Sequence, residues 1–200
     1  MDFFDWFQFV SLLLFLGIFI GRSVWLQKKG FSIFVIGKGK GGIKALMEIV
    51  FIAVLVLWVY EIMNHSLRLY FTVLPAGLSN PFVSTFGLKI TGAILIFLGL
   101  LIFILGLLAF GNSWRIGIDT QKPGELVTSG IFSLTRNPVF VFINLYFIGT
   151  ALIYTNWFFT GLAIMAVFGI HFHILNEEKH LVHQYGDLYL EYRKNVRRYF

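Results

Sequence analysis

The chain contains no cysteine among its 200 residues. Disulfides, iron–sulfur clusters and thiolate zinc sites are therefore excluded, and cysteine usage says nothing of the redox compartment. Charge is the second shortage. Only 13% of the residues are charged, against about 25% in soluble domains. A soluble fold of this length needs a larger polar skin. Proline is scarce too, and its 4 copies fall outside the interiors of the longest apolar runs. What is abundant is apolar: 58% hydrophobic and 18% aromatic residues, with 24 Phe. This composition belongs to an integral membrane protein. It excludes a water-soluble enzyme, a disulfide-rich secreted domain and a disordered chain. The N-terminus Met1–Asp5 is acidic and no small-residue cleavage site follows the first apolar run, so no cleaved signal peptide is expected.

A helix needs about 20 apolar residues to cross the hydrocarbon core. Three candidates are Phe4–Leu26, Ile43–Met63 and Gly87–Phe110. Between Asn137 and Asn176 no residue is charged. That run is too long for one crossing, and Tyr154-Thr155-Asn156-Trp157 divides it into Pro138–Tyr154 and Trp157–Leu175, a tight helical hairpin. Leu69–Leu88 is also uncharged, but Pro75, Pro81 and Ser79-Asn80 interrupt it, so a loop or re-entrant piece is expected there. The fold class is thus an all-α membrane bundle of about five transmembrane helices with a C-terminal interfacial helix. It forms a single domain over residues 1–200, with three spans in 1–110 and a functional half in 111–200.

The net charge of +6 is explained by the positive-inside rule rather than by a nucleic acid partner. The stretch Arg22–Lys44 carries six basic residues and no acidic one, which places it in the cytoplasm. Five crossings then put the N-terminus outside, and the tail with Arg193, Lys194, Arg197 and Arg198 inside. A prokaryotic plasma membrane is the expected location. The run Gly37–Gly42 lacks the Gly-Lys-Ser/Thr of a Walker loop and reads as a flexible basic loop near anionic lipid.

Polar residues of the C-terminal half gather in two places, Gly111–Asn137 and His171–Tyr192, and the short hairpin brings both to one membrane face. In the first, Pro123-Gly124 and Ser129-Gly130 read as turns, while Pro138 suits the start of the fourth span. Asn137 reads as that helix's cap and Arg136 as a headgroup anchor. In the second, His173, Glu177 and His180 share one helical stripe. A metal site on that stripe is conceivable, but no metal is expected. Of the two adjacent carboxylates, Glu177 should face the bundle, where it suits a cationic or hydroxyl-rich ligand. Val182, Tyr185, Tyr189 and Tyr192 read as one aromatic face of a continuous helix.

Taken together these segments resemble the isoprenylcysteine carboxyl methyltransferase family, with phospholipid methyltransferases as relatives. The matching pieces are Leu126-Val127-Thr128-Ser129-Gly130-Ile131-Phe132 and Arg136-Asn137-Pro138-Val139-Phe140. After the hairpin come Glu177-Glu178, Leu181, Gly186-Asp187, Tyr189, Glu191-Tyr192 and Val196. The resemblance implies a membrane methyltransferase that uses S-adenosylmethionine. It also implies that Leu126, Val127, Phe132, Asn137, Pro138, Phe140 and Glu177 contact the cofactor, with His173 and Arg136 as the candidates for catalysis. The methyl acceptor is expected to be small or lipophilic, reached from the lipid. There are three departures from the family pattern. Phe132 and Phe140 stand where tyrosines are usual, Asn137 stands for His, and His173 replaces an Arg that meets the substrate carboxylate. An imidazole does not reproduce a bidentate guanidinium, so carboxylate, thiol and amine acceptors all stay open. The alternative readings are an NADPH-dependent sterol-type reductase and a non-catalytic membrane scaffold.

Overall fold

In a computed structural model the described residues are 1–29, 42–69, 71, 73–111 and 126–200. Their regular structure is all helix, and no strand occurs among them. The elements are α1 (Phe3–Lys28), α2 (Gly42–Leu67), the short α3 (Ala76–Ser79), α4 (Phe86–Phe110), α5 (Pro138–Tyr154), α6 (Trp157–Tyr185) and α7 (Asp187–Asn195), with a single 3-10 turn at Gly130–Ser133 before α5. The basic run through Gly37–Gly41 and the Pro123-Gly124 turn lie outside the described residues.

Among the described residues, four helices are long and apolar enough to cross a membrane: α1, the Ile49–Leu67 part of α2, α4 and α6. The apolar α5 has 17 residues, at the short end of what can span. Five apolar helices thus stand where five spans are expected, four of them long enough to cross and α5 shorter. Their outer faces are greasy, and polar side chains are buried beside apolar ones in their contacts. Phe51, Phe97, Leu108 and Phe168 are each more than 60% exposed, whereas Gln8, Glu61 and Thr150 are fully buried.

The chain divides into two compact units, the first comprising Met1–Pro75 and the second running from Ala76 to Phe200 among the described residues. In the first, α1 opens with a capping box between Asp2 and Asp5. Asp5 is buried and also receives Arg68 at 2.8 Å, which ties the start of α1 to the residue after α2. At the other end of α1, the Arg22 guanidinium and the Lys29 ammonium lie 4.6 and 3.8 Å from the Trp25 ring. Such a group suits a membrane–water boundary, where indole and long cationic side chains are both favoured.

In the second unit, glycines set how closely the helices approach. Gly92, Gly99 and Gly106 recur every seven residues along the α4 face that meets α5. A Cβ at Gly92 would lie 2.5 Å from the Gly149 carbonyl oxygen, and one at Gly149 would lie 2.6 Å from that of Gly92. Backbone cannot yield as a side chain tip can, so only glycine fits this crossing. The same face carries Phe103, stacked on Phe142 at 4.5 Å. At its end Gly106 packs on Pro138, which fixes where α5 begins.

The α5–α6 hairpin forms as its sequence suggests. Thr155 adopts a left-handed conformation at φ 44°, and Asn156 caps α6 by accepting the Phe159 N–H at 2.9 Å. The turn is held from outside: Asn156 donates to the Ser79 carbonyl, Thr155 Oγ1 donates to that of Val83, and the Phe82 N–H donates to the Thr155 carbonyl. The segment around Pro75 and Pro81 holds no long helix. It braces the hairpin instead.

Three local expectations are corrected. Asn137 stands at the N-cap position of α5, but its side chain makes no capping bond. It donates to the Arg198 carbonyl at 3.0 Å instead. The aromatic face through Val182 and Tyr192 is not one helix, because Gly186 at φ 55° ends α6 and α7 restarts after it. Of the two adjacent carboxylates, Glu178 rather than Glu177 is buried.

Candidate functional site

At 29 residues, α6 is about 43 Å long at 1.5 Å per residue, against about 30 Å of hydrocarbon. Its last turns, after the apolar run closes at Leu175, therefore project beyond the lipid core. There they meet the turn before α5, α7 and the C-terminal tail. Of the expected site residues, His173 and Glu177 lie on this part of α6, and Arg136 and Phe140 meet it.

One face is closed by ion pairs. The buried Glu178 carboxylate accepts Arg136 Nη2 at 2.7 Å and Arg198 Nε and Nη2 at 3.1 and 2.8 Å. The hydrogen bond to Glu178 holds the Arg198 guanidinium above its usual pKa. Arg136 Nη1 donates to the Arg193 carbonyl at 2.9 Å. Its Nε is buried with no hydrogen-bond partner. The tail adds backbone bonds on the same segment. The Arg136 N–H donates to the Arg197 carbonyl at 3.0 Å, and Thr135 Oγ1 and Asn137 Nδ2 both donate to that of Arg198. The Tyr199 hydroxyl lies 2.8 Å from His171 Nδ1. The Arg136-Asn137-Pro138 turn is thus held between α6 and the last five residues.

Tyr192 of α7 secures the preceding turn. Its hydroxyl donates to the Phe132 carbonyl at 2.6 Å, and the buried Phe132 ring meets Phe110 edge-on at 4.6 Å. Gly130, at φ 63°, lets the chain bend into this 3-10 turn against Ala109. Burial pushes the Tyr192 hydroxyl up from the usual 10 to about 12. Burial, with the Glu178 charge second, does the same to Tyr189. Both stay protonated and able to donate at neutral pH.

The other face is open. His173 is two-thirds exposed, with Nε2 at 4.0 Å from a Glu177 carboxylate oxygen. The Phe140 ring of α5 meets the His173 imidazole edge-on at 5.3 Å. His180, on the same stripe, has its Nε2 buried and without a hydrogen-bond partner. Glu177, His173, His180 and Phe140 therefore combine a carboxylate, two imidazoles and an aromatic face. Leu126, half-buried, borders a cavity of about 630 Å³ with Thr128, Tyr185, Glu191 and Tyr192. Val127 beside it is also half-buried. Among the described residues, no three His, Asp or Glu side chains converge as metal ligands.

Of the residues singled out from sequence, the structure brings Arg136 to α6, Asn137 to the tail and Pro138 to Gly106 of α4. It also joins Phe140 to His173, which lies 4.0 Å from Glu177. Leu126 and Phe132 are drawn into the same end of the unit through Tyr192. Sequence reasoning missed Glu178, Arg198, Thr135 and Tyr192 as the groups that hold the turn. The only signal for Glu178 and Arg198 was the general one that a carboxylate beside a membrane span needs a partner.

No solved structure matches the chain. A protein-S-isoprenylcysteine O-methyltransferase of Xenopus laevis is 27% identical over 146 residues, which is 68% of this chain and 51% of the relative. The chain thus spans about half the length of that curated relative. The family model for phospholipid methyltransferase matches residues 88–188. That stretch runs from α4 through the glycine crossing, the Arg136 turn and the hairpin to the paired carboxylates and the start of α7. It covers half of the sequence and nearly all of the region in which the site is built, and so the chain belongs to the phospholipid methyltransferase family.

Proposed function

We propose that this protein is an integral membrane methyltransferase that moves a methyl group from S-adenosylmethionine to a small or lipophilic acceptor. The observation that carries the reading is the open face of α6, where Glu177, His173, His180 and Phe140 lie within the family's matched region. The donor carries a positive sulfonium, an amino group and ribose hydroxyls. A one-third-exposed carboxylate at Glu177 suits any of the three as hydrogen-bond acceptor or counter-charge. The Phe140 ring suits a cation or a flat base. The buried, unpartnered Nε2 of His180 is a polar atom that a ligand can satisfy. These groups fit the cofactor, and Leu126, Val127, Phe132, Asn137 and Pro138 would border it from the turn before α5.

When bound, the cofactor supplies an electrophilic methyl group. What remains for the protein is to orient the acceptor and keep water away. The apolar flank of α5 and the lipid on α6 favour an acceptor with a hydrophobic body. His173, partly exposed beside Glu177, is placed to take a proton from a thiol or ammonium acceptor. A carboxylate acceptor needs no base, and His173 would then only orient it. Arg136 acts through the turn it fixes rather than by touching the acceptor, since its Nη atoms are engaged by Glu178 and the Arg193 carbonyl. The site faces the cytoplasm in this reading, in keeping with the basic tail.

Calorimetric titration of the detergent-purified chain with S-adenosylmethionine, S-adenosylhomocysteine and NADPH tests the proposal. Binding of the first two, weakened tenfold or more by Glu177→Ala, is expected. Binding of NADPH alone would move the protein to the reductases. Binding of none by a folded preparation would overturn an enzymatic role.

A further inference from the structure

A second pocket lies on the opposite side of α6 from Glu177 and His173. Its lining comes from Leu175, Glu178, Lys179 and Val182, which recur at three- and four-residue steps on one stripe, together with Arg193 and Arg198. At 100° per residue this stripe is about 180° around the helix from the His173–Glu177–His180 stripe. The cavity holds about 340 Å³. Its charges do not balance. Three cations line it against one carboxylate, and that carboxylate is already shared by Arg136 and Arg198. Lys179 and the Arg193 side chain have no carboxylate within ion-pair distance among the described residues, and both are exposed. Such a pocket has the make-up of an anion site: two uncommitted cations and a third held in place by Glu178.

Its position says which anion. The pocket begins at Leu175, where the apolar run of α6 ends, so its floor is level with the boundary between acyl chains and headgroups. Leu175 and Val182 give it apolar walls that a free inorganic ion cannot use but a glycerol backbone can. We infer that this pocket binds the phosphate of an anionic phospholipid, with Lys179 and Arg193 contacting the phosphate and Arg198 completing the cation set. The bound lipid is an accessory ligand. It lies away from the face proposed for methyl transfer, and the inference does not depend on the reaction. Because Arg193 and Arg198 also hold Arg136 and Glu178 in place, an anion here clamps α7 and the tail onto α6 and raises the stability of the whole end of the unit.

The full chain in a mild non-ionic detergent is melted with added phosphatidylglycerol, with phosphatidylcholine, and with inorganic phosphate. Phosphatidylglycerol is expected to raise the Tm of the wild-type chain more than phosphatidylcholine does. In Lys179→Gln/Arg193→Gln the phosphatidylglycerol concentration for half of that rise should increase about tenfold or more, as the loss of two basic contacts at a lipid surface entails. Lys194→Gln removes a neighbouring charge that does not line the pocket and should leave the rise intact. A rise unchanged in the double variant overturns the site. So does an equal loss in Lys194→Gln, which would reduce the effect to general surface charge. A rise reproduced by inorganic phosphate and lost in the double variant sustains the phosphate site and assigns it to the free anion. Native mass spectrometry of the wild-type chain gives a measurement independent of the variants' folding. Preferential retention of phosphatidylglycerol over phosphatidylcholine is expected, and equal retention counts against the proposal.

Discussion

Glu177 and Glu178 are neighbours on one helix, yet the two faces they mark are built in opposite ways. Around Glu178 the carboxylate and the turn are tightly held: two guanidinium groups meet the carboxylate, and the tail carbonyls take the donors of Thr135, Arg136 and Asn137. Around Glu177 the groups are loosely placed. His173 stands 4.0 Å off and mostly exposed, and the His180 Nε2 is buried with no partner. One face spends its polar groups on holding the Arg136 turn in place. The other leaves them unsatisfied, as a ligand site must. A rigid support beside an open face is what a positioning enzyme requires. The same pair of residues thus separates stability from binding, and substitutions should separate them too.

The largest effect should come from Glu178→Ala. Removing one member of a buried ion pair strands the charge of its partner, at about 3–5 kcal/mol. Arg136, whose side chain is only 6% exposed, would be the stranded group. A large drop in Tm and a low yield of folded protein are expected, measured by thermal melting in detergent. A melting temperature within a degree or two of wild type would show that water screens the triad.

A smaller loss should follow from ending the chain at Val196. This deletes Arg198 and the carbonyls that accept from Thr135, Arg136 and Asn137. At about 0.5–1.5 kcal/mol per net hydrogen bond, the three bonds to the tail carbonyls amount to about 1.5–4.5 kcal/mol, while Arg136 keeps its Glu178 partner and no buried charge is stranded. Hydrogen exchange should rise at the amides of Arg136 and Asn137 while the α5–α6 hairpin stays protected. Uniform exchange across the hairpin would mean that the tail stabilises the whole unit rather than one turn.

The spans were legible in the sequence because hydropathy and helix length respond to the same solvent. The hairpin break at Thr155-Asn156 was legible because a polar pair in an apolar run has few other uses. The split between Glu177 and Glu178 was not. Adjacent positions on a helix differ by about 100° in direction, and which of them faces the protein depends on Arg136 and Arg198, which come from opposite sides of the hairpin in sequence. The tail was read as basic charge for topology, and nothing local shows that Arg198 returns to the start of α5. Asn137 beside Pro138 matched a capping pattern, but the Arg198 carbonyl was a competing acceptor for its amide. The likeness to the methyltransferases identified which segments meet. It did not distinguish supporting residues from binding residues within them.

Tyr192→Phe should cost about 1–3 kcal/mol, because it leaves the buried Phe132 carbonyl without its donor. It also carries a pH signature. The hydroxyl's pKa is raised from 10 to about 12 in the fold, so between those values the unfolded chain loses its proton first. The stabilisation is complete below pH 10 and is lost as pH rises toward 12. Wild-type Tm should therefore fall across that window. The fall should be shallower in Tyr192→Phe, with Tyr189, also near 12, accounting for the remainder. Equal slopes in the two proteins would remove Tyr192 from the support of the turn.

The smallest effect on stability is expected for Glu177→Gln. The side chain is about one-third exposed, and the imidazole 4.0 Å from it, His173, is two-thirds exposed. Exposed pairs of this kind contribute about 0–1 kcal/mol, so Tm should barely move. The same variant should weaken S-adenosylmethionine binding, because a neutral amide no longer supplies the counter-charge to a cationic ligand. Paired with Glu178→Gln it forms a direct test of the two-faced helix. The first should lose ligand and keep stability. The second should lose stability, and any ligand loss should track the fraction unfolded. If both variants lost ligand and stability together, the two faces would be one cooperative site, with Glu178 part of the binding surface rather than its support.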